Sequence, residues 1–286
     1  MLEDSSFLKN LKVIASQKIK ERNYWLDKFS GEFAKSYFPY DFQVTNSSPD
    51  IKAVTFSFHG DLFSKLIKVS KSSDIRLFVI LAAGLMVLME KYTGSSDITV
   101  GAPIYKQGKR ENFINTVLPL RNRLRPGETF KEILLTVAQT IREANQHQNY
   151  PMEVLLTQLN IPRDQEGFPW FDTAVLLENV HDKAFIRHIN VNMTFSFFRK
   201  ENSIAGELAY NVFLYQESTI RRIVKHLTRF LQNALFNTTA PAAAVDILFE
   251  EEKKQLLIEF NKFSNGCEGD IHLSQLLPYT FIILAQ

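Results

Sequence analysis

Residues 147–171, HQNYPMEVLLTQLNIPRDQEGFPWF, decide how this chain folds, because they join a long amphipathic helix to a block of strands. Proline disfavours the helical region for the residue before it, so Tyr150-Pro151 ends the preceding helix. Pro151 then suits the first turn of a new helix carrying Val154, Leu155 and Leu159. Two helices therefore meet at an angle. Pro162-Arg163-Asp164 and Gly167-Phe168-Pro169 break regularity twice more before the apolar run Ala174 to Leu177, which reads as a buried strand delivered by a rigid loop.

Upstream of this corner, Thr129 and Glu132 form a capping box, and Phe130, Ile133, Leu134, Val137, Ala138 and Ile141 recur at helical spacing up to His147. Before them, residues 115–124 read as a strand in which Pro119 demands an edge position or a bulge. Ile98, Val100 and Ala102 mark another strand, ending at Pro103. Leu77, Phe78, Ile80, Leu81, Leu85, Leu88 and Met89 wrap nearly all round a helix capped by Asp74 and ended by Gly94, and such a helix is buried. Val54, Phe56 and Phe58 alternate with Thr55 and Ser57 in a half-buried strand, after which Gly60-Asp61 opens a helix to about Ser70. Residues 5–29 read as one helix with Phe7, Leu8, Leu11, Ile14, Ile19 and Trp25 on one side. The aromatic stretch 31–49 is too apolar for a free linker and lies over a core.

Downstream, strands are expected over 172–179, 190–198 and 207–214, the last two joined as a hairpin through KENSIAG at 200–206. Ser218 caps a helix carrying Ile220, Ile223, Val224, Leu227, Phe230 and Leu231, and 250–260 is a short final helix. Grouped strands and grouped helices argue for an α+β or α/β sandwich: a mixed, mostly antiparallel sheet with helices packed on it.

The composition narrows function. The 286 residues are 45% hydrophobic and 22% charged, ordinary for a globular protein. A net charge of +2, with Lys and Arg scattered among Asp and Glu, sets up no field for a polyanion, so nucleic acid is not an expected partner. Leu77 to Met89 is too short to span a bilayer, MLEDSSFLKN is acidic where a signal peptide is basic, and Cys267 stands alone; a cytoplasmic protein without membrane contact is expected. The six histidines show no HxxH or HExxH spacing, so no metal site is expected. There is no GxSxG elbow. GAPIYKQGKR lacks the nested glycines and following helix of a phosphate loop. His181-Asp182 reads as a loop pair whose side chains point apart. His147 is the one imidazole with a polar neighbourhood suited to a base; its place in the last turn of a helix favours a bond to terminal carbonyls instead.

YWLDKFSG (24–31), KYTGSSDITVGAPI (91–104), FINTVLPLR (113–121), HQNYPMEVL (147–155), IPRDQEGFPWFDTAVLLEN (161–179), GELAYNVFLY (206–215) and IEFN (258–261) together resemble the carboxy-terminal half of a nonribosomal peptide synthetase condensation domain. The motifs keep their order over residues 24–261. The resemblance implies one chloramphenicol acetyltransferase-like lobe over 1–261, followed by a linker-like tail, 262–286, whose apolar end at 276–286 departs from the family. In that family two lobes form a V, carrier proteins bring thioesters from opposite faces, and catalysis centres on an HHxxxDG motif of the amino-terminal lobe. This sequence contains neither HHxxxDG nor HxxxD. The resemblance therefore implies no catalytic residue and no directly bound cofactor, with the phosphopantetheine arm of a carrier protein as a passing ligand. It places Asn115, Thr116, Arg121 and His147 toward the tunnel or a partner, and Gln148, Tyr150, Pro151, Arg163, Asp164 and Pro169 in structural roles. Three readings follow. The first is a partial condensation domain, non-catalytic alone, that docks a peptidyl or aminoacyl carrier protein or other synthetase domains. The second is half of a split enzyme completed by a separate amino-terminal lobe, and the third is a module that recruits a tailoring enzyme.

Overall fold

The computed structural model describes residues 2–32, 34–43, 49–106, 114–161, 168–187 and 189–255. Arg163, Asp164, Gly167, most of the basic loop after Tyr105, and the tail with Cys267 lie outside them. Two helices, α1 (Leu2–Gln17) and α2 (Ile19–Lys28), open the chain where one was expected. The break has a reason. Lys18 and Arg22 sit where the Leu11–Ala15 face would continue, so nothing anchors the helix to the core until Trp25, and Ile19 is turned out to solvent.

Six strands form one sheet: β1 (Ile51–Phe58), β2 (Asp97–Pro103), β3 (Val117–Arg123), β4 (Thr173–Leu177), β5 (Met193–Arg199) and β6 (Ile204–Asn211), in the order β1-β6-β5-β4-β2-β3. β1/β6, β6/β5 and β2/β3 are antiparallel, whereas β5/β4 and β4/β2 are parallel. The sheet is thus mixed and mostly antiparallel, as the grouping of elements demanded. β3 is an edge strand, the first of the two placements that Pro119 allowed.

Five more helices follow: α3 (Gly60–Ser70), α4 (Asp74–Thr93), α5 (Phe130–Gln146), α6 (Met152–Gln158) and α7 (Glu217–Phe236). A short helical stretch lies at 250–255. α4 is the central core element, buried from Leu77 to Met89 and packed against α3, α5, α7, β2 and β4. No single helix among the described residues is long and apolar enough to cross a membrane. The capping box at Thr129 and Glu132 is formed in full. The segment 34–43 does lie over the core: Phe38 is fully buried, and the Ser36 hydroxyl accepts the Thr99 N–H at 2.9 Å.

Three local expectations are corrected. Ser73, not Asp74, caps α4, its hydroxyl accepting the Arg76 N–H. α7 begins at Glu217 with Gln216 as its N-cap, so Ser218 is already inside the first turn. The Asp41 carboxylate reaches across from the crossing segment to take the Gln216 N–H at 2.8 Å and the Thr219 hydroxyl at 2.9 Å. β6 starts at Ile204 instead of 207 and ends at Asn211 instead of 214. Gly206 is a strand residue, not a turn residue: the Phe56 ring lies over it so closely that a Cβ would come within 2.3 Å. At the far end the Asn211 side chain accepts the Phe213 N–H at 3.1 Å and bends the chain out of the sheet.

Candidate functional site

The corner brings most of the singled-out residues together and commits them to backbone. The Asn115 amide, just before β3, donates to the carbonyls of Gln148 at 2.5 Å and Tyr150 at 2.7 Å, and its oxygen accepts the Met152 N–H at 3.2 Å. One side chain thus fastens the start of β3 to the turn between α5 and α6. His147 is the C-cap of α5. Its Nδ1 lies 2.8 Å from the Glu143 carbonyl, its ring stacks on Tyr24 with centroids 4.3 Å apart, and its carbonyl accepts the Trp25 indole N–H at 2.8 Å. Tyr150 is fully buried, with its hydroxyl on Gln158 at 2.8 Å, and Pro151 is the N-cap of α6, one residue before the first turn. Gln148 Oε1 is buried without a partner among the described residues. Burial, with Glu143 nearby, pushes the Tyr24 phenol well up and keeps it neutral.

Arg121 and Thr116 lie apart from that turn. The Arg121 side chain is buried and forks onto Asp97 at 2.9 and 2.6 Å, while also donating to the carbonyls of Lys28 and Glu32, each at 3.1 Å. It closes the end of α2 onto β2 and β3, so its charge is spent inside the lobe. Burial alone would raise the Asp97 carboxyl, but the Arg121 and Arg123 guanidiniums outweigh it and hold the group below its usual value. Thr116 reaches the Phe185 carbonyl at 3.5 Å. Pro169 is half-buried beside Trp170.

Other imidazoles are similarly engaged. His181 and Asp182 do point apart: Asp182 caps the short 3-10 turn Lys183–Ile186, whereas His181 is wholly buried between Phe78 and Tyr105. Its Nδ1 accepts the Leu177 N–H at 3.1 Å, which places the proton on Nε2, and burial lowers its pKa to about 3. His226 is buried between the Tyr92 hydroxyl at 2.7 Å and the Glu252 carboxylate at 3.1 Å, tying residues 250–255 to α4 and α7. His59 is exposed and bonded to Ser57. Among the described residues no group of three or more His, Cys, Asp or Glu is placed to hold a metal.

What the residue-type search missed is one face of the sheet at β1, β6 and β5. Along β6 burial alternates strictly, with Ile204, Gly206, Leu208 and Tyr210 buried and Ala205, Glu207 and Ala209 half-exposed. Register carries the open face across three strands: Ala53 opposes Ala209, which opposes Thr194; Thr55 opposes Glu207, which opposes Ser196; Ser57 opposes Ala205, which opposes Phe198. This wall is therefore built mainly of small side chains around one acid, open over β1 and β6 and ending on β5 at the buried Ser196 and the exposed Phe198. Glu207 pairs with Lys183 at 2.7 Å, and Lys183 has Glu178 at 3.8 Å. Beside Glu207 the buried Ser196 hydroxyl has no partner among the described residues. The signal was present as Ala-Gly-Glu-Leu-Ala at 205–209, but attention to the apolar alternation alone passes over what fills the other positions.

The sequence model of the Condensation domain family matches residues 6–257. Gramicidin S synthase 2 of Brevibacillus brevis is 34% identical over 262 residues, covering 85% of this chain and 6% of that protein. Bacitracin synthase 3 of Bacillus licheniformis is 28% identical over 279 residues, covering 90% and 4%. The chain thus spans a small fraction of the length of these synthetases. Among solved structures, the X-domain from teicoplanin biosynthesis superposes with a TM-score of 0.69 at 18% identity, over 86% of this chain and 61% of that one, and a second structure holds it in complex with OxyB. The starter condensation domain of rhizomide synthetase superposes at 0.61, with 18% identity, over 86% and 57%.

Proposed function

This chain belongs to the condensation-domain family of nonribosomal peptide synthetases, and from that premise we propose that it is a single lobe which docks a partner and forms no amide bond alone. The observation that carries the reading is the open β1-β6-β5 wall. The solvent face of an antiparallel sheet ordinarily alternates polar-out, whereas here alanines, threonines and the exposed Phe198 ring leave the face largely apolar apart from Glu207. Glu207 with Lys183 supplies one orienting charge pair in an otherwise flat surface. The partners are a peptidyl or aminoacyl carrier protein with its phosphopantetheine arm, neighbouring synthetase domains, or a tailoring enzyme. The recruitment reading draws support from the X-domain, a protein of this fold that forms a complex with OxyB. The lobe extends to about residue 261, with 262–286 as a linker-like tail, and it works in the cytoplasm.

A second reading is half of a split enzyme: an amino-terminal lobe bearing the HHxxxDG that residues 1–286 do not contain would pack on this lobe and complete the site. A general base contributes about a hundred- to ten-thousand-fold, so the difference is readily measured. The experiment incubates the purified chain with carrier-bound donor and acceptor thioesters, with and without such a lobe, and follows amide product alongside carrier binding. Binding without product supports docking, and product requiring both chains supports the split enzyme. Turnover by this chain alone overturns both.

A further inference from the structure

The two edges of the sheet are unlike. β3 is blunted by Pro119 and buried along most of its length, whereas β1 has no proline, one charged residue (Lys52), and no described strand on its outer side. Which of its backbone groups are unpaired follows from register. Val212 N–H donates to Asp50 O at 2.9 Å and Asn211 N–H donates to Asn192 O at 2.9 Å, so the even-numbered residues of β1 exchange bonds with β6. Ile51, Ala53, Thr55 and Ser57 therefore turn their N–H and C=O outward. Such a row is a template for another strand.

We infer that this edge pairs with the same edge of a second copy, antiparallel about a two-fold axis at Val54. That register is the one that uses all the outward groups: Ile51 pairs with Ser57 of the partner subunit, and Ala53 with Thr55 of the partner subunit. Charge and size permit it. Lys52 falls opposite Phe56 of the partner subunit, so no like charges meet, and on the open face Ala53 meets Thr55 of the partner subunit and Ile51 meets Ser57 of the partner subunit. Antiparallel edge pairing puts the axis perpendicular to the sheet, so the two open walls join into one continuous surface. This inference concerns the strand edge and stands whether or not the wall itself docks a carrier or a tailoring enzyme.

The test is the mass of the purified chain by analytical ultracentrifugation from dilute to concentrated solution, with backbone amide exchange read residue by residue. Concentration should double the mass and slow exchange at Ile51, Ala53, Thr55 and Ser57, leaving the amides of Lys52, Val54 and Phe56, already held by β6, unchanged. Thr55→Pro deletes an outward N–H without touching the β6 ladder and should leave a monomer; Thr55→Lys, which keeps the backbone donor, should weaken pairing at least roughly tenfold by charge at the contact. A wild-type monomer at every concentration, or a dimer that both variants retain, overturns the proposal.

Discussion

The corner around Asn115 and His147 and the open wall of β1, β6 and β5 are opposites in composition and in use. The corner is crowded with amides, an imidazole, a phenol and an indole, and nearly all of them are tied to the protein's own backbone. The wall holds alanine, serine, threonine and one exposed phenylalanine, and its only acid, Glu207, pairs with Lys183. The difference teaches that polar richness in a sequence marks where a chain must hold an awkward turn as readily as where it does chemistry. A turn between two helices leaves carbonyls and N–H groups that the helices cannot satisfy, and side chains must satisfy them.

If the corner and the Arg121 knot between α2 and β2 are structural, damage at either must appear first as lost stability. The largest effect belongs to Arg121→Ala, which strips Asp97 of its buried partner and leaves the carbonyls of Lys28 and Glu32 without their donor. The expected cost is about 2–4 kcal/mol, measured as a fall in the urea midpoint with little change in slope. The same variant should lose less stability in acid than the wild type. Asp97, held below its usual value, contributes stability above its unfolded pKa near 3.8, and that contribution disappears as pH falls through the folded value. Asn115→Ala should cost about 1–3 kcal/mol by the same measurement, since it abandons two carbonyls and one N–H at once. An Asn115 variant of unchanged midpoint that failed only in partner binding would break the contrast between the two regions.

His181 extends the contrast to pH. The unfolded chain takes up a proton at this residue below pH 6.5, while the folded chain stays neutral down to about 3, so stability falls as pH drops through that window. His181→Phe keeps a ring between Phe78 and Tyr105 and removes the titration. The slope of stability against pH in that window should flatten by up to about 1.4 kcal/mol per unit, read from urea midpoints at several pH values.

The sequence made the framework legible because the framework is written in periodicity. α4 announces its burial by apolar residues on every side, α5 by its capping box, and β3 its edge position by Pro119. The family too was legible, since it resides in the ordered motifs that also build the corners. The start of β6 was not legible, because Gly206 reads as a turn until Phe56 is known to lie over it. Nor was the N-terminus of α7, whose N–H groups are satisfied by Asp41 from far away in the chain. The wall stayed hidden for a related reason: small residues become a surface only when register lines β1 up with the β5-β6 hairpin, well over a hundred positions away in the chain.

The smallest stability effect is therefore expected on the wall, and there it separates the two regions most sharply. Glu207→Gln removes an ion pair whose partners are each more than a third exposed, so the urea midpoint should move by no more than about 0.5 kcal/mol. Ala209→Arg, one pleat along, sets a long cation on a face that had none at that height and should be equally silent in stability. If the wall is where a carrier or tailoring partner lies, the arginine should weaken that association at least roughly tenfold by titration calorimetry, while Glu207→Gln changes it less and chiefly through its salt dependence. Loss of binding without loss of stability is the signature that Asn115, bound up in the corner, and Arg121, bound up between α2 and β2, are unable to give.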